Sequence, residues 1–193
     1  MMKLLFALFL TLSVNNLIAQ DFHFLSGHVC AQGTSNVREW EIKTDSISLI
    51  TNIEMDSVGL HKINSLRFYI EAKNLKSNYP LMDKRVYKAL KGYQNRIYFN
   101  GVHFKISPAG DKRYLVTCEG NLGIAGYNQI ANIKAIFEIK PDGNLSITGG
   151  QSLKMSSFKV SPPKYLVKYM NISNSFTVYF DVVIAQDQKI EKF

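Results

Sequence analysis

The chain has 193 residues, of which 46% are hydrophobic and 12% aromatic, with two cysteines and a formal net charge of +8. That is enough chain for one domain with its own core. The basic residues are scattered and form no block of the kind that reads as a nucleic-acid tail, so no nucleic-acid partner is expected.

At the start, Lys3 precedes an apolar run from Leu4 to Leu12 broken only by Thr11, and Asn15 and Asn16 end it too soon for a bilayer span. The pattern predicts a cleaved signal peptide over residues 1–19, with the cut after Ala19. No cysteine follows the cut, so no bacterial lipid anchor is expected, and the mature chain, residues 20–193, is read as one periplasmic or secreted domain. Removing Lys3 leaves 22 basic and 15 acidic residues, a net +7. Such a surface suits transient contact with a membrane, although dispersed charges are more often plain solvated surface. Oligomeric state is not legible.

Phe22 to Thr34 reads as a first strand with Gly27 as a bend, and Val37 to Ile50 as a second, where Trp40 and Ile42 alternate with Glu39, Glu41 and Lys43. Asn52 to Asn64 reads as loop with a short strand. Leu66 to Ala72 is a third strand, with Phe68 and Ile70 alternating against Arg67 and Glu71. Pro80 then opens the one convincing helix. Met82, Val86, Ala89 and Leu90 share a face, Pro80 suits the first turn, Asp83 and Lys88 complement the dipole, and Gly92 can stop the helix. Lys84, Arg85, Lys88 and Lys91 read as its solvated side.

Arg96 to Ser107 is a fourth strand, ended by Pro108, Gly110 and Asp111. Arg113 to Ile124 is a fifth, closed by Ala125 and Gly126. Gln129 to Lys140 is a sixth, with Ile133, Ala135, Phe137 and Ile139 at period two, and Pro141-Asp142-Gly143 is a turn. Leu145 to Val160 is a seventh, interrupted at Gly149 and Gly150. Ser175 to Ile184 is the eighth, with Phe176, Val178 and Phe180 on one face, and the tail from Gln186 is polar. Eight strands and one amphipathic helix argue for an all-β domain, and the pattern alone leaves barrel and sandwich open.

Four segments carry a family resemblance: Gly33 to Val37 with Trp40 just after, Met82 to Leu90 followed by Ile97 to Phe99, Leu122 to Gly126, and Phe158 to Pro163. In that order they resemble the YceI-like family over roughly Ser26 to Ile184. The resemblance implies an eight-stranded antiparallel lipocalin-like barrel with one short α-helix packed beside it. It also implies an exported protein that holds a long isoprenoid chain, a polyprenyl phosphate or quinone tail, in an apolar barrel. The chain departs from the family pattern twice. Arg38-Glu39 stands where His-Asp often precedes the tryptophan, and Val167 to Ile172 replaces a loop containing Gly and Thr.

Alternation and helical spacing nominate the pocket residues Trp40, Ile42, Phe68, Ile70, Met82, Val86, Leu90, Phe99, Val116, Ile133, Ala135, Phe137, Phe176, Val178 and Phe180. No catalytic residue, cofactor or metal site is nominated. His23, His28, His61 and His103 lack the spacing of a zinc site, and no nucleophile elbow or phosphate loop occurs. An enzyme is therefore not expected. Cys30 and Cys118 leave two readings, a disulfide or two buried free thiols. The rival to a ligand-holding barrel is one with a packed interior that acts through its surface as a structural or interaction protein.

Overall fold

The computed structural model describes residues 19–56, 58–92, 95–162 and 171–186. The expected signal peptide apart from Ala19, most of the Val167–Ile172 loop, and the polar tail after Gln186 lie outside them. Among the described residues there are nine strands: β1 (Ala19–Ser35), β2 (Glu39–Thr44), β3 (Ser48–Met55), β4 (Leu60–Glu71), β5 (Arg96–Gly110), β6 (Arg113–Ile124), β7 (Tyr127–Ile139), β8 (Leu145–Lys154) and β9 (Ile172–Gln186). One α-helix, α1 (Pro80–Ala89), and two 3-10 turns, Ala72–Asn74 and Met155–Phe158, complete them.

The sheet runs β1-β3-β4-β5-β6-β7-β8-β9 with every neighbouring pair antiparallel, and β9 pairs back to β1. Eight strands thus close into an antiparallel barrel, which leaves no long free edge. The ninth, β2, arises where one strand was expected from Val37 to Ile50. Asp45 to Ile47 break that strand, yet its two parts keep one register on β1. Six residues back along β1, from Val29 to His23, correspond to six residues forward, from Thr44 to Ile50. Only the second part goes on to pair with β4, so β2 is a lip standing above the closed ring.

Two further expectations need correction. Asn52 to Asn64 is mostly strand, because the hairpin between β3 and β4 turns tightly at Asp56, whose Oδ1 accepts from the N–H groups of Val58 and Gly59. Gly149 and Gly150 do not interrupt β8. Gly149 instead makes room for a neighbour: a Cβ there would lie 2.5 Å from the Phe180 ring. The strand stops earlier than expected, at Lys154, where Met155–Phe158 coils into a 3-10 turn.

The helix follows its sequence signals. Pro80 occupies the first turn and Asp83 accepts from the Ser77 N–H and hydroxyl just upstream. At its end Lys91 takes the left-handed conformation at φ 62° and Gly92 follows at φ 137°. Tyr87, not assigned to the helix's apolar face from the sequence, is buried. Its hydroxyl lies 2.9 Å from the Leu75 carbonyl and 3.1 Å from that of Lys73, and Lys76 Nζ donates to it at 3.0 Å. This ties α1 to the segment leading into it.

Apolar side chains divide between two clusters. At the end away from the helix, Phe22, Ile53, Leu145 and Ile184 are almost wholly buried and close the barrel with packed side chains. At the helix end, Leu90 and Tyr87 join Ile42, Ile70, Phe99, Leu122, Ile124 and Phe158. There the wall is less regular. The β7–β8 ladder runs only from Ala135 to Ile139, so the upper parts of both strands part company. The Met155–Phe158 turn fills that seam, with Gln129 Nε2 donating to the Ser157 carbonyl at 3.1 Å.

Candidate apolar cavity

Between the two clusters lies a cavity of about 250 Å³. Strand alternation aims its wall inward: Ile133, Ala135 and Phe137 face it from β7, while Asn132 and Lys134 on the same strand do not. Fourteen of the fifteen nominated residues line it: Trp40, Ile42, Phe68, Ile70, Val86, Leu90, Phe99, Val116, Ile133, Ala135, Phe137, Phe176, Val178 and Phe180. Met82 is the exception. It lies one turn nearer the helix start, packs against the helix-end cluster, and faces a second, polar cleft instead.

Several lining residues were not nominated. Val29 and Ala31 of β1 sit opposite Thr44 and Ile42 of β2, and their alternation could have revealed them. Leu122 and Ile124 of β6 continue the inward set of Val116 and could have been found by the same count. Phe158 and Val160 could not, since they belong to a 3-10 turn and its exit, where no period of two or 3.6 exists to read.

The lining holds little chemistry. Its side-chain nitrogen and oxygen atoms are those of the Gln151 amide and the Trp40 indole. Trp40 packs against Gly33, its cross-strand partner on β1, where a Cβ would fall 2.3 Å from the indole. Its ring meets Phe176 at 6.4 Å between centroids, tilted by 37°. Trp40 Nε1 is buried and has no hydrogen-bond partner among the described residues. A buried unpaired donor of this kind costs about 1–3 kcal/mol.

Trp40 and Phe176 also border the second cleft, of about 540 Å³, whose wall includes Gln32, Arg38, Glu39, Glu41, Ser152 and Thr177. The two residues therefore form a partition, with apolar space on one side and a polar, charged cleft on the other. Arg38, one of the departures from the family pattern, stands there with its guanidinium 4.3 Å above the Tyr79 ring.

Cys118 lines the apolar cavity, and burial pushes its thiol up to about 12. Cys30 points the other way, between Val29 and Ala31 on the outer side of β1 beside Glu41 and Gln32. Its thiol is also raised, by burial first and then by the Glu41 charge. The disulfide reading is thus corrected: both cysteines are free and buried, because they occupy opposite faces of the wall. Among the described residues no group of three or more His, Cys, Asp or Glu side chains is placed to hold a metal ion. What this arrangement can do is exclude water from an apolar molecule.

No protein-family model matches the sequence, and no curated protein matches it significantly. Solved structures do. BcnA of Burkholderia cenocepacia is similar at 18% identity, over 82% of this chain and 95% of that one, with a TM-score of 0.61. A polyisoprenoid-binding domain from Saccharophagus degradans, implicated in plant cell wall breakdown, is similar at 10% identity, over 86% of this chain and 98% of that one, with a TM-score of 0.65. A YCEI protein of Campylobacter jejuni aligns at 16% identity over 73% and 82%, with a TM-score of 0.49. The barrel expected from the YceI-like resemblance is the barrel observed.

Proposed function

We propose that this chain, which has the YceI-like fold, is an exported lipid-binding protein that holds a long isoprenoid chain in its barrel, for carriage or storage. The observation that carries the reading is the cavity itself, about 250 Å³ with an almost wholly apolar wall. Eight-stranded barrels are at the size where the interior either fills with side chains or takes one small ligand. This one does the first at its far end and leaves room at the helix end.

The drive would be removal of apolar area from water, at about 25 cal/mol per Å² less the cost of association. A headgroup would emerge at the partition formed by Trp40 and Phe176, toward the polar cleft. The shared fold with a polyisoprenoid-binding domain supports the choice of ligand class. No catalytic step is required, since binding and release complete the task.

The test is the mass spectrum of an organic extract of protein purified from its native host. A stoichiometric isoprenoid is the expected result. Repeated extracts holding no long-chain lipid would overturn the proposal.

A further inference from the structure

The net positive charge is not spread evenly over this barrel. Because the strands are antiparallel, the connections fall alternately at its two ends. Those at the helix end carry eight described basic residues (Arg38, Lys73, Lys76, Lys84, Arg85, Lys88, Lys91 and Lys159) and two acidic residues, Asp45 and Asp83. The three connections at the other end carry two basic residues, Lys112 and Lys140, and three acidic ones, Asp56, Asp111 and Asp142.

The helix end also exposes apolar side chains at protruding points. Val37, at the tip of the β1–β2 turn, is 66% exposed, and at the start of α1 Leu81 is 70% and Tyr79 50% exposed. The Arg38–Tyr79 contact joins these two protrusions. Leu81, Lys84 and Lys88 lie three and four apart on the side of α1 away from Leu90 and the cavity, and all are exposed. No ion pair neutralises Lys84 or Lys88 among the described residues. The carboxylate of Asp83 is taken up by Ser77.

Past the end of α1, Lys91 and Lys159 bring their ammonium groups to 3.9 and 4.8 Å from the centroid of one Tyr127 ring. Both lysines have positive φ, at 62° and 50°, a conformation seldom adopted by residues with a side chain. Two like charges on one ring repel, and an anion between them would relieve that repulsion.

We propose that the helix end of the barrel docks on the surface of an anionic phospholipid bilayer. Val37, Tyr79 and Leu81 would enter the headgroup layer while the lysines meet lipid phosphates. Separate apolar protrusions ringed by cations suit a deformable anionic surface better than a rigid complementary groove. The polar cleft lies on this same face, since Arg38, Tyr79 and Met82 belong to its wall. This proposal goes beyond the cavity reading and does not depend on the identity of the cavity ligand.

The experiment is sedimentation of the mature protein with vesicles of phosphatidylcholine, with or without phosphatidylglycerol. Binding is expected only with phosphatidylglycerol present, and it should fade as salt rises from about 0.15 M to 1 M. Each basic residue near such a surface strengthens binding about fivefold, so Lys84→Gln with Lys88→Gln should weaken it roughly 25-fold. Lys112→Gln with Lys140→Gln removes the same charge from the far end and should leave binding nearly unchanged. Leu81→Ser should weaken binding at low salt as well. Lack of binding to phosphatidylglycerol vesicles, or equal binding to both vesicle types, would overturn the proposal. So would equal losses in the two double variants, because net charge and not this face would then be responsible. Lipid extracted from the same preparations reports on the cavity separately, and thermal midpoints show that each variant is folded.

Discussion

Substituting Ala135 by Trp places the cavity under direct test. Ala135 lies between its partners Val116 of β6 and Gly149 of β8 and faces the cavity. In a barrel packed with its own side chains an added indole has nowhere to go, and overpacking of that kind costs about 1–3 kcal/mol. Here the indole can enter the cavity. If it fills roughly half of the 250 Å³, then at about 24 cal/mol per Å³ the gain in packing is at most ~3 kcal/mol. For a chain of this size each kcal/mol moves the thermal midpoint by about 2–4 °C. The expected result is an unchanged or raised midpoint after delipidation, together with a clear loss of extractable lipid. Delipidation is needed because bound ligand raises the midpoint by mass action. A wild type without lipid, paired with a variant whose midpoint falls by several degrees, would refute the reasoning and favour the packed-interior rival.

Three other outcomes follow from single features. Tyr87→Phe removes the hydroxyl shared with Lys73, Leu75 and Lys76, and should cost about 1–2 kcal/mol; thermal melts matching wild type would show that this network does not anchor the helix. The Cys118 thiol is raised from 9.0 to about 12, so its contribution is complete below the unfolded thiol's pKa and is lost as pH climbs toward 12. Denaturant midpoints compared between neutral pH and about one pH unit above the ordinary thiol pKa should show a loss on the order of 1 kcal/mol at most from this group, which Cys118→Ala should lack. Finally, intact mass from the native host should place the mature start at or near Gln20; a full-length chain in the membrane fraction would contradict export by a cleaved signal.

Much of the wall was legible because a closed barrel obeys one rule along most of its length. Ile133, Ala135 and Phe137, or Phe176, Val178 and Phe180, need only a period of two to be placed. The rule failed where the chain stops being a regular strand. The Asp45–Ile47 break leaves the register on β1 intact, so alternation ran through it without a signal. The Met155–Phe158 turn puts Phe158 into the cavity by local coiling, which no strand or helix period encodes. Met82 was misplaced for a different reason: helical spacing gives the face, but not how far along the helix the barrel beneath it extends. The charge asymmetry was present in the sequence throughout, yet it needed the topology to say which connections share an end.

The division of the barrel into a packed end and a hollow end has an energetic logic. Relative to a barrel filled with its own side chains, a cavity of 250 Å³ withholds about 6 kcal/mol of packing at ~24 cal/mol per Å³. That is comparable to the whole net stability of an ordinary domain, about 5–15 kcal/mol. A fold can sustain such a deficit only if the remainder is closed tightly. The far-end cluster does this, with Ile53, Leu145 and Ile184 at 0% exposure and Phe22 at 1%. Under the proposed function the deficit is also the source of affinity, because an apolar chain entering the cavity restores the contacts that the wall lacks. Substitutions should therefore separate by location. Leu145→Ala at the packed end should cost about 2–5 kcal/mol whether or not lipid is bound. Val178→Ala in the cavity wall removes contacts the ligand would share, so it should weaken lipid retention more than it lowers the delipidated midpoint. Equal destabilisation at the two sites, with lipid content unchanged in both, would show that the cavity wall is ordinary core.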